Sequence, residues 1–90
     1  ELILSEVCSF YNITIDDINS KSRSKSVAFP RQVAMYLMRD ILNLTFPKIG
    51  EEIGGRDHST VMHGIEKITT QLKSDKELSN TIADIKDKLK

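Results

Sequence analysis

Residues 53–68 read IGGRDHSTVMHGIEKI, and the glycine pair near their start decides the fold. Before it, Phe46, Ile49 and Ile53 recur at helical spacing with Pro47 near the beginning; after it, Val61, Ile65, Ile68 and Leu72 recur as i, i+4, i+7 and i+11. Two amphipathic helices therefore meet at a corner of about three residues. Gly54 and Gly55 can take the positive φ such a corner needs, which a residue with a Cβ adopts only at a cost. Arg56, Asp57, His58, Ser59 and Thr60 then fall on the first turn of the second helix: a cation, an acceptor, a ring and two hydroxyls together. This is the layout of a helix-turn-helix, over residues 46–72, whose second helix enters a DNA groove N-terminus first.

Working outward, the other apolar stripes are helical too. Leu2, Ile3, Val7, Phe10 and Tyr11 predict a first helix ending near Asn12, with Cys8 a small buried residue on it. Thr14 and Asp17 predict a capping-box variant opening a short helix at residues 15–18. Residues 20–26, SKSRSKS, alternate hydroxyl and base with no apolar residue, so they predict an exposed loop. Ala34, Leu37, Met38, Ile41 and Leu42 predict a long central helix over residues 28–44, with Pro30 in its first turn. Asp75 or Ser74 caps a last helix bearing Leu78, Ile82, Ile85 and Leu89. No segment alternates like a strand and no period repeats, so the expectation is an all-α compact bundle of five to six helices with an embedded helix-turn-helix.

Ninety residues make one domain with a single modest core. The chain starts at Glu1 without a methionine, which predicts a segment excised from a longer protein. No run approaches the roughly 18 apolar residues of a membrane span. The lone Cys8 excludes an internal disulfide and a thiolate zinc site. The net charge is zero, but its distribution is polar. Residues 1–19 carry four acids and no base, whereas residues 20–39 carry Lys21, Arg23, Lys25, Arg31 and Arg39 with no acid. A phosphate meets the local field, not the sum.

GGRDHSTVMHG, preceded by SKSRSKSVAFPRQVAMYL, resembles the two hallmarks of the C-terminal DNA-binding domain of the bacterial replication initiator DnaA, in the right order and spacing, and the resemblance runs over residues 2–89. It implies a helical bundle that binds double-stranded DNA at DnaA boxes, close to the asymmetric sequence TTATnCACA, and positions an initiator at the replication origin for unwinding. It also implies roles for single residues. Asp57, His58 and Ser59 match base-reading positions in the major groove, and Arg23 matches the residue inserted in the minor groove. Lys21, Arg31, Gln32, Arg39, Arg56, Thr60, Val61 and His63 match phosphate contacts. Ser59 stands where threonine is frequent, which removes a methyl that can touch thymine. Phe29 stands where some members have arginine and is expected to pack instead. ATP and Mg belong, by the same resemblance, to an upstream ATPase domain; the module itself is expected to need no cofactor and to be no enzyme. Other DnaA domains and subunits are the expected protein partners, acidic phospholipids are not expected to bind this segment, and the location is cytoplasmic, at the nucleoid.

The chemistry agrees with base reading: a carboxylate accepts from the exocyclic amine of cytosine or adenine, and His58 and Ser59 can approach thymine or bridge through water. The plainer role for Asp57 and Ser59 is helix capping. His58 and His63 are five residues apart, about 140° around a helix, so they cannot share a metal ion as i, i+4 histidines do. No serine or cysteine nucleophile with a base and a third member is evident. Gly50 and Gly55 have P-loop spacing, but Arg56-Asp57 follows where lysine and a hydroxyl residue are needed. Two further readings stay open: the same DNA-binding module carried by a transposase-like or regulatory protein, and a protein-docking or membrane-surface bundle using the last helix and the basic loop.

Overall fold

The computed structural model describes residues 2–90; Glu1 lies outside them. The chain forms α1 (Leu2–Tyr11), α2 (Ile15–Asn19), α3 (Lys25–Leu42), α4 (Phe46–Glu52), α5 (His58–Leu72) and α6 (Lys76–Lys88), with no strand among the described residues. The fold is all-α, as the stripes predict.

Side-chain caps set most helix starts. The Thr14 hydroxyl accepts from the Asp17 amide at 3.0 Å while the Asp17 carboxylate accepts from the Thr14 amide at 3.0 Å, a complete capping box. Thr45 caps α4 through the Lys48 amide at 3.3 Å, and Asp75 caps α6 through the Leu78 amide at 2.9 Å. Helices α1 and α3 end at Asn12 and Asn43, with φ of 57° and 53°, the left-handed conformation that asparagine enters more easily than other residues with a Cβ.

Helix α3 begins three residues before the predicted start. Ser24 is its N-cap residue, and the Val27 and Ala28 amides donate to the Ser24 carbonyl at 3.0 and 2.7 Å. Pro30 consequently lies inside the helix, not in its first turn, removing one backbone donor without ending it. The polar first turn of α3 carries no apolar signal, so periodicity places it in the loop. Ile41 and Leu42 also depart from the predicted stripe, being 42% and 46% exposed.

Helix α3 forms the centre of the bundle, with Val33, Ala34, Met35, Leu37 and Met38 all buried. Ile3, Leu4 and Val7 of α1, Ile49 of α4, Val61 and Ile68 of α5, and Leu78, Ile82 and Ile85 of α6 complete one core. Each such side chain contributes about 1.5–3 kcal/mol on burial. Helix α5 crosses α3 at Gly64, where a Cβ would lie 2.7 Å from Met35 Sδ and 3.2 Å from Gln32 Cγ. An ion pair of 2.6 Å between Lys86 and Asp40 joins α6 to the end of α3.

Candidate nucleic-acid interface

The corner between α4 and α5 takes residues 53–57, longer than the three expected. Gly54 and Gly55 have φ of 85° and 76°, as the glycine pair predicts. Three amides converge on one carbonyl: Ile53, Gly55 and Arg56 donate to Gly50 O at 3.3, 2.9 and 3.0 Å. The turn folds back so closely that a Cβ on Gly50 would collide with the Arg56 carbonyl. Gly50 is therefore spent on this close approach, which accounts for its spacing from Gly55. Gly54 in turn lies against the end of α2, where a Cβ would come within 2.9 Å of Asn19 O.

Asp57 is the N-cap of α5, its Oδ1 accepting from the Thr60 amide at 2.8 Å. Hydrogen bonds from Thr60, with the nearby His58 as a smaller cause, hold its carboxyl below the usual carboxylate range. The capping role is thus realised, and Asp57 remains exposed with its second carboxylate oxygen outside that bond. His58, Ser59, Thr60 and His63 are exposed over the following turns. Val61 is different. Its side chain is buried in the core and its amide already donates to Asp57 O at 3.2 Å, so it has no unpaired donor for a phosphate, contrary to expectation. The Thr60 amide is likewise taken, and its hydroxyl also lies against the Asp57 carboxylate.

In the basic loop, Lys21 and Arg23 are exposed. Serines shape the backbone between them: the Ser22 amide donates to Ser20 Oγ at 3.3 Å and the Ser24 amide to Ser22 Oγ at 3.2 Å. Arg31 does not fit the phosphate role. It is 7% exposed, with Nε donating to Ile18 O at 2.8 Å, Nη1 to Ser22 O at 3.2 Å, and Nη2 to Ser20 O at 3.0 Å and Asp17 O at 3.4 Å. Burial, then the charge of Arg56, push its pKa down. Arg56 joins the same junction, its Nη2 donating to Ile18 O at 3.2 Å and to Ser20 O. Two guanidiniums thereby satisfy carbonyls at and just beyond the end of α2 that the helix leaves open.

Arg39 is exposed, with Nη1 on Leu44 O at 2.9 Å and its guanidinium 5.1 Å from the centre of the Phe46 ring. Gln32 is half-buried against Gly64, its Oε1 enclosed without a hydrogen-bond partner. Phe29 packs as expected, edge-on to Tyr11 with centroids 6.2 Å apart. These two rings help wall a hollow of about 470 Å³ whose rim also carries Lys25 and Lys67. Both lysines are exposed. Lys67 stands one helical turn after His63.

Among the described residues no group of three His, Cys, Asp or Glu side chains is placed to hold a metal ion. Among the described residues no helix is long and apolar enough to cross a membrane.

Residues 1–68 match the model of the bacterial dnaA protein helix-turn-helix. Over all 90 residues the chain is 49% identical to the chromosomal replication initiator proteins DnaA of Thermoanaerobacter sp. (strain X514) and Thermoanaerobacter pseudethanolicus, and 48% identical to that of Caldanaerobacter subterraneus subsp. tengcongensis. The chain spans 20% of the length of each of these relatives.

Proposed function

Since the chain belongs to the bacterial DnaA helix-turn-helix family, we propose that it reads duplex DNA sequence-specifically, at DnaA boxes of the replication origin. The observation that carries this reading is a junction. The end of α2, held by Arg31 and Arg56, sets the exposed Lys21–Arg23 loop beside the turn that opens α5 with Asp57, His58 and Ser59. One chain so offers a loop suited to a narrow minor groove and a helix suited to the neighbouring major groove.

In this proposal Asp57, His58 and Ser59 contact base edges, and Arg23 enters the minor groove. Lys21, Gln32, Arg39, Arg56, Thr60 and His63 hold phosphates. The longest extent of the chain is 29 Å, less than the roughly 34 Å of one DNA turn, which suits one domain on one short asymmetric site. In the complete protein, this module would place an initiator whose ATP-binding domain drives assembly and strand opening, in the cytoplasm at the nucleoid. Selection of bound duplexes from a random pool tests the reading. Enrichment of one asymmetric motif close to TTATnCACA is expected; no enrichment would refute it.

A further inference from the structure

We infer that Arg31 and Arg56 form an internal clamp that fixes the Arg23 loop against the recognition turn, so that Arg31 is a positioning residue for minor-groove reading and not a phosphate ligand. The inference rests on the DNA-reading function proposed above.

The loop needs such a device. Residues 20–24 contain no apolar side chain, and short serine-to-amide bonds are their own means of order. Arg31 reaches across from α3 and binds the carbonyls of Ser20 and Ser22 at 3.0 and 3.2 Å, gripping the backbone on both sides of Lys21 and one residue before Arg23. The same guanidinium holds Ile18 O at 2.8 Å, so loop and helix end move as one. Arg56 is part of the recognition turn and shares both the Ile18 and Ser20 carbonyls. The distance between minor-groove loop and major-groove helix is therefore set at two carbonyl oxygens. Four of the five N–H donors of the Arg31 guanidinium are engaged and the residue is 7% exposed, so backbone carbonyls hold it in place of a phosphate. A lysine keeps the charge but has no planar fork to span these carbonyls.

The test uses Arg31→Lys and Arg31→Met, alone and combined with Arg23→Ala, with folding checked by circular dichroism. Binding is measured on duplexes with A·T or G·C flanks across a salt series. Arg31→Lys is expected to lower affinity for the A·T-flanked site on the order of tenfold and to abolish the flank preference. Adding Arg23→Ala should then cost little more. The log–log salt slope of Arg31→Met combined with Arg23→Ala should equal that of Arg23→Ala alone, since the displaced loop removes only the Arg23 contact. In the free protein, amides of residues 20–24 should exchange faster in both variants.

A phosphate ligand would behave otherwise: Arg31→Lys would bind nearly as the parent does, and Arg31→Met with Arg23→Ala would lose about 0.9 more of the slope than Arg23→Ala alone. Either result, additive losses with Arg23→Ala, unchanged loop exchange, or failure of both variants to fold would overturn the clamp. If the parent chain itself shows no preferred site, the proposed function fails, and exchange in the free protein still decides the clamp.

Discussion

Gly50 accepts the Arg56 amide at 3.0 Å and lies so near the Arg56 carbonyl that it has no room for a side chain. Gly55, by contrast, has nothing within 4 Å of a Cβ, and its φ of 76° is its sole constraint. Gly50→Ala should therefore destabilise the chain by about 3 kcal/mol through overpacking, and Gly55→Ala by about 1 kcal/mol through backbone strain. Urea denaturation of the two variants checks this. Equal losses would show that the turn is not folded against α4.

The Asp57 and Asp75 carboxyls sit below the ordinary carboxylate range. For Asp57 the main cause is the hydrogen bond from Thr60; for Asp75 it is that from Gln71, followed by that from Leu78. A depressed folded-state pKa stabilises above the unfolded value, about pH 4, and that stability is lost as pH falls through the folded value. The melting temperature should thus fall more steeply below about pH 4 in the parent than in Asp75→Asn. Parallel acid profiles would contradict the account.

Asp57 both caps α5 and faces outward, and the two roles separate by substitution. Asp57→Asn keeps an oxygen for the Thr60 amide, so helical content should hold near neutral pH, the melting temperature falling only by what the lost carboxylate charge contributed. It replaces the second carboxylate oxygen with a donor, so preference for the cognate duplex should drop about tenfold per lost base contact. Asp57→Ala should lose both. Unchanged preference in Asp57→Asn would confine the residue to capping.

Arg23→Ala should weaken binding most where the flanking minor groove is A·T-rich, because a narrow groove concentrates the potential that draws a guanidinium. Lysine should replace it poorly. Binding measured with G·C substituted for those pairs should erase most of the extra defect. A defect independent of the flank would reduce Arg23 to a phosphate anchor.

Among the described residues the helices and the place of the corner were legible, though not the corner's length or the first turn of α3, because each carries its own signal: apolar residues at helical spacing, Thr14, Asp57 and Asp75 as caps, and Gly54 with Gly55 at positive φ. Long-range uses of a residue were not legible. Arg31 sits beside Gln32 in a basic segment, and nothing local says that its guanidinium turns inward to carbonyls 9 to 14 residues earlier. Gly50 is separated from Arg56 by a turn whose path sequence spacing does not reveal. Val61 was legible as a core residue, yet its amide pairs with Asp57 because the helix starts one residue after the cap.

Titration of the chain with a TTATnCACA duplex and with a scrambled duplex of equal length, across a salt series, tests base reading by a chain of zero net charge. Lys21, Arg23, Arg39 and Arg56 are the exposed or half-exposed cations assigned to DNA in the proposed reading, so log affinity should fall with log salt at a slope of about −3.6. The account predicts one chain per duplex and a preference for the cognate sequence on the order of a thousandfold. Equal binding to both duplexes, an obligate two-to-one complex, or a flat salt response would contradict it.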